Sequence, residues 1–163
     1  MTGGGTFTSG GITLDNTDSK LVLDSITLDS ASTSIGSEGI DVDANSTVTT
    51  LAVGHETPVS IKTNRTLSGA INVTAGSIKL DKTGTLSSNV AMSGGVLDID
   101  KNLTVSGTLS HSADITIDVA SGKTLTYSGT AIGVGAHTIT LTGGGNFTSG
   151  GMTLNLSLIH ISE

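Results

Sequence analysis

Seven short segments of alternating residues recur along this 163-residue chain, about 20 residues apart. They read KLVLD, GIDVD, PVSIK, SIKLD, VLDID, DITIDV and HTITLT, starting at positions 20, 39, 58, 77, 96, 114 and 137. Strict alternation marks a half-buried strand, because successive side chains point to opposite faces. The inward set is Ile40 and Val42, Ile61, Ile78 and Leu80, Leu97 and Ile99, Ile115 and Ile117, Ile139 and Leu141. The outward residues near the segment ends run Asp24, Asp43, Lys62, Asp81, Asp100, Asp118 and Thr142. One such strand cannot bury its apolar side alone, whereas a regular succession of them can stack into a continuous core.

The rest of each repeat is consistent with that stacking. A second strand opens each unit: TFTS, ITLD, TVTT, TLSG, TLSS, LTVSG and TLTYSG. A third short stretch, such as INV at 71–73, lies between the two in several units. The units are 6–25, 26–46, 47–65, 66–84, 85–102, 103–123 and 124–145. Their period is nested in a longer one. GGGTFTSGGITL at 3–14 returns as GGGNFTSGGMTL at 143–154, offset by 140 residues and identical at ten of twelve positions. Two or three short strands per turn describe an all-β chain wound as a parallel β-solenoid of about seven coils of about 20 residues. Coils stacked at the inter-strand spacing of about 4.8 Å make a rod of roughly 34 Å. A narrow interior of Ile, Val and Leu explains why the chain holds two Phe, one Tyr and no Trp. Gly10, Gly11, Gly94, Gly95 and Gly143 are expected at the corners. The rival architecture is an immunoglobulin-like β-sandwich, which needs tight hairpin signals and a large aromatic core.

Composition narrows the function classes. Ser and Thr are 22 and 27 residues, yet aliphatic residues recur too evenly for a disordered chain. Net charge is −7 and Arg65 is the only arginine, which argues against a nucleic-acid partner. No apolar run is long enough for a transmembrane segment. The opening residues MTGGGTFTSGG lack the charged and apolar regions of a signal peptide. With no Cys, disulfides and thiolate metal sites are excluded. Low Lys with high Thr, Ser, Gly and Asn suits an exported bacterial surface protein.

Several residue groups hint at chemistry, and each has a plainer reading. His111, Ser112 and Asp114 in HSAD contain the residue types of a nucleophilic triad, but such a triad is defined by geometry and alternation separates neighbours. DVDAN at 41–45 and DIDKN at 98–102 place Asp, Asp and Asn on one strand face. A calcium loop needs Gly at its sixth position and a carboxylate at its twelfth. Those places hold Ser46 and Ala52, and Leu103 and Leu109, so a solvated face is expected, with Lys62 and Lys79 offsetting the carboxylates. His55, His111 and His137 lack helix or finger spacing, and no metal site is expected. The GGG runs at 3–5 and 143–145 are not followed by a Lys-Ser/Thr pair and read as corners. Asn45, Asn64, Asn72, Asn102 and Asn146 begin Asn-X-Ser/Thr triplets, which arise by chance in so Ser/Thr-rich a chain. Thr alternates in TLT at 124–126 and TITLT at 138–142, but Asp and Lys interrupt that outward column in earlier units. The expected catalytic, cofactor and metal residues are therefore none.

TLSGAINVTAGSIKLDKTG (66–84), TLSSNVAMSGGVLDIDKN (85–102) and LTVSGTLSHSADITIDVASGK (103–123) resemble the passenger regions of autotransporters and filamentous-haemagglutinin-like adhesins. The resemblance implies a right-handed parallel β-helix, secreted and displayed at the bacterial cell surface as a stalk or adhesive fibre. It transfers no catalytic residue. LSLIHISE at 156–163 breaks the repeat and resembles a translated sequencing adapter. Residues 1–155 are then one solenoid segment, a 140-residue superrepeat plus the start of the next, within an assembly-derived metagenomic fragment; 156–163 is a non-native tail. The expected role is structural or adhesive, without an active site or cofactor. Its partners would be neighbouring repeats end to end, and surface glycans or proteins met by the full-length protein. The alternatives are a polysaccharide-degrading β-helix enzyme, a phage tail fibre segment and an ice-binding solenoid.

Overall fold

A computed structural model describes residues 1–14, 19–30, 33–35, 39–53, 57–61, 65–74, 76–81, 83–130, 132–133, 136–150, 152–153 and 160–161. Among them there is no helix, and every strand pairing is parallel. The chain winds through β1 (Thr6–Ser9), β2 (Ile12–Leu14) and β3 (Leu21–Leu23), then β4 (Thr27–Ser30), β5 (Thr33–Ile35) and β6 (Ile40–Val42). Two levels follow with a long strand each: β7 (Ser46–Val53) with β8 (Thr57–Ile61), and β9 (Leu67–Val73) with β10 (Ser77–Asp81). Three-strand levels resume as β11 (Gly84–Leu86), β12 (Asn89–Met92) and β13 (Val96–Ile99), then β14 (Leu103–Val105), β15 (Leu109–His111) and β16 (Ile115–Val119). The last are β17 (Thr124–Tyr127), β18 (Ile132–Gly133) and β19 (Ile139–Thr142), followed by β20 (Asn146–Ser149), β21 (Met152–Thr153) and β22 (His160–Ile161). This is a β-solenoid with three faces.

The third face is the eight-stranded sheet β22-β19-β16-β13-β10-β8-β6-β3. Seven of its strands are the seven alternating segments, so six turns of chain lead from β3 to β19. Its inward ladder includes Leu21 beside Ile40, with Leu80 two strands further on across the backbone of residue 59, and Ile78, Leu97, Ile117 and Leu141 in the next column. Ile40, Val42, Ile78, Leu80, Leu97, Ile99, Ile115, Ile117 and Ile139 are buried as expected, and Leu141 is half-buried against them. The outward column differs from the sequence reading by one pleat. Asp118 stands beside Asp98 and Thr142, not beside Asp100, and Asp81 stands beside Ser60. The physical reason is unequal strand length: β16 carries Val119 in the inward place of Ile99, and aligning segments by their ends hides that extra pair. Lys62, His55, Asn64 and the side chain of Ile61 lie outside the described residues.

The opening strands line the first face, but in two sheets. Order β1-β4-β7-β9-β12-β15 starts on the first face and crosses to the second along β7 and β9. The first face is taken up again by β11-β14-β17-β20. The crossing needs one extra residue in β7, where the register shifts between Val48 and Leu51 opposite Gly69 and Ile71. Gly69 has φ of 105°, and a Cβ there would overlap the Val48 carbonyl oxygen. The bend therefore demands glycine for both conformation and space. INV at 71–73 is the second-face half of β9, the expected third stretch. Of the expected corner glycines, Gly94, Gly95 and Gly143 have positive φ and Gly10 does not.

The two copies of the echo do not meet. β1 pairs with β4, and β20 pairs with β17 in another sheet. Phe7 stacks on buried Leu28 and Phe147 on buried Leu125, so both occupy the inward register. Phe7 is 42% exposed because no strand covers its other side within the sheet. Within the tail, His160–Ile161 lies parallel to Thr140–Leu141 and continues the third face by one strand.

Candidate functional site

The corners carry the most regular side-chain chemistry. A solenoid corner leaves backbone groups without a ladder partner, so a side chain must supply one. Asn45 Oδ1 accepts from Thr66 N (3.0 Å), Asn89 Oδ1 from Thr108 N (2.9 Å), Asn102 Oδ1 from Thr124 N (3.0 Å) and Asp114 Oδ1 from Thr138 N (2.8 Å). In each case an Asx side chain at a corner takes the N–H of a Thr one turn later. Asn45 and Asn102, the last residues of the two acidic segments, thus hold the backbone of the next turn.

The acidic segments are likewise engaged with neighbouring turns. Lys20 Nζ lies 3.3 Å from Asp41, and Lys79 pairs with Asp100. Thr142 Oγ1 donates to Asp118 Oδ1 at 2.7 Å. Lys79 offsets the carboxylates as the sequence suggests. Among the described residues, no group of three His, Cys, Asp or Glu is placed to hold a metal ion.

HSAD closes β15 and turns onto the third face. His111 Nδ1 contacts the Ala113 carbonyl at 3.0 Å, so that nitrogen donates to the backbone and not to Asp114. Asp114 is committed to Thr138 N. The three residues therefore form no Ser-His-Asp relay. His111 and Ser112 line a shallow concavity of about 180 Å³ with Ala91, Met92, Ser93 and Ser110. The fold also joins residues that the sequence keeps 26 positions apart. The His111 and His137 rings meet at 69° with centroids 6.1 Å apart, and His137 Nδ1 is 3.9 Å from Asp114 Oδ1. Residue spacing in a helix or finger gives no signal for this; only the length of the intervening turn does.

The first face presents another pattern. Thr85, Thr104, Thr126 and Thr148 form one outward column across β11, β14, β17 and β20. Ser87, Ser106 and Ser128 follow these strands, and no residue of the four strands is charged. Of the two threonine segments singled out in the sequence, TLT at 124–126 lies in β17 on this face, and TITLT at 138–142 lies on the third face, where Asp and Lys interrupt the column. The uninterrupted column is the one through Thr126.

No protein-family model, no curated protein and no solved structure matches the chain.

Proposed function

We propose that this chain is a structural segment of a large secreted bacterial surface protein, a stiff stalk or fibre without an active site. The observation that carries this reading is the unbroken parallel ladder of the third face from β3 to β19. Every turn is hydrogen-bonded to the next and shares one aliphatic core with it. Such a rod resists bending because each level would have to slip against its neighbours. The segment sets a distance from the cell, neighbouring repeats continue it end to end, and glycan or protein contacts belong to the full-length protein. Pulling the chain by its ends in a force spectrometer tests this. The expected trace holds its length and then yields in steps of about one 20-residue turn. Smooth extension at low force would overturn the stalk reading. Depolymerisation of any polysaccharide in a glycan panel would replace it with the β-helix enzyme.

The threonine column favours a second reading, an ice-binding solenoid. Its hydroxyls repeat at about 4.8 Å between turns, and Ser87, Ser106 and Ser128 follow at about 6.7 Å beyond the ends of β11, β14 and β17. An uncharged, regular array of this kind can order water on its surface. Growth of single ice crystals in the presence of the chain decides: faceting that Thr104→Lys and Thr126→Lys abolish supports this reading, and unchanged growth removes it.

A further inference from the structure

We propose that His111 and His137 form a binding site for a divalent first-row transition ion, with Zn²⁺ as the reference case. His111 ends β15 in the ladder position that Met92 occupies one turn earlier. Its Nδ1 is held by the Ala113 carbonyl, which leaves Nε2 as the lone-pair nitrogen. That Nε2 is buried and makes no hydrogen bond. Buried polar atoms are nearly always satisfied, so an orphaned acceptor calls for a reason. His137 arrives at the same corner one turn later. Its Nδ1 faces Asp114 Oδ1, and that carboxylate is fixed in turn by Thr138 N. His111 Nδ1 is thus tied to a backbone oxygen, the outer-sphere arrangement that orients Nε2 for a metal, while His137 Nδ1 lies near the Asp114 carboxylate at 3.9 Å, longer than a hydrogen bond.

The separation of the rings agrees. A zinc–nitrogen bond is about 2.1 Å, and the imidazole centroid lies about 1.1 Å behind the nitrogen. Two rings sharing one ion through Nε2 therefore have centroids about 5 to 6.5 Å apart, from a tetrahedral to a linear angle at the metal. The observed separation is 6.1 Å, at the wide-angle side of this range, so a tetrahedral ion would draw the rings together by about 1 Å. No third His, Cys, Asp or Glu joins the set among the described residues, so the remaining positions go to water. Imidazole donors suit Zn²⁺, Cu²⁺ and Ni²⁺ and disfavour Ca²⁺ and Mg²⁺. Asp114 acts as a positioning residue.

Calorimetric titration of the full chain with zinc chloride tests the site. The expected result is one saturable ion per chain and a melting temperature that rises with zinc. His137 is 43% exposed, so His137→Ala keeps the metal-free melting temperature while its zinc affinity falls at least about tenfold. Asp114→Asn keeps an acceptor for Thr138 N and lowers affinity by a smaller factor. A His55→Ala/His160→Ala variant binds like the parent. Absence of saturable binding below about 1 mM zinc overturns the proposal. So does unchanged affinity in His137→Ala, or loss of the site only in the His55/His160 variant.

Discussion

Tyr127, the chain's only tyrosine, shows how one residue is fitted to a narrow core. It is 1% exposed, and its hydroxyl accepts from Leu109 N at 3.1 Å and donates to Thr130 O at 2.5 Å. The ring fits because position 129 is glycine; a Cβ there would lie 2.7 Å from the phenol oxygen. Tyr127→Phe preserves the packing and strands the buried Leu109 N–H, while the Thr130 carbonyl, on an exposed residue, loses its donor. It should cost about 1 to 3 kcal/mol, read as a lower denaturation midpoint at unchanged slope. Ile99 and Asp100 separate the two sides of one strand end. Ile99 is fully buried, so Ile99→Asp places an unpaired carboxylate in a dry ladder at a cost of several kcal/mol, roughly 4 or more. Asp100 holds a half-exposed pair with Lys79, and its change to Ser should stay within about 0.5 kcal/mol. Equal melting temperatures for these two variants would contradict the inward register at 96–99.

Among the strands and corners, the bonds from Asx to the next turn are the distinctive device. A buried Leu or Ile stabilises by about 1.5 to 3 kcal/mol, so the ladders supply most of the cohesion. The corner bonds instead fix which residue faces which, because they join defined positions in successive turns. Asn102→Ala should lower stability by about 1 kcal/mol and speed amide exchange at Thr124 N first. Asn102→Asp keeps the acceptor and should restore protection; uniform loss of protection along the chain would contradict a local role. The third-face strands were legible in sequence because alternation over four or five residues is a strong signal. The first face was legible as strands but not as two sheets, since the crossing depends on one bulge at Val48–Leu51. The shift of Asp118 onto Asp98 was hidden for a similar reason: segment ends do not reveal which pleats align. The meeting of His111 with His137 was not legible at all, because it requires the actual geometry of a corner whose turn length varies.

For the whole molecule, the consequence of the winding is distance. Residues 140 positions apart occupy equivalent places seven levels apart, and every level adds one inter-strand spacing. In a sandwich the same echo would bring two similar strands together as neighbours. Thr8 and Thr148 are the matched outward positions of β1 and β20, both exposed. Because the chain has no cysteine, Thr8→Cys and Thr148→Cys introduce two spin-label sites without competition. Pulsed electron–electron dipolar spectroscopy on that doubly labelled chain should give a narrow distribution centred near 34 Å, seven rises of about 4.8 Å broadened by the label arms. A distribution centred below about 20 Å would place the echoes side by side and contradict the solenoid.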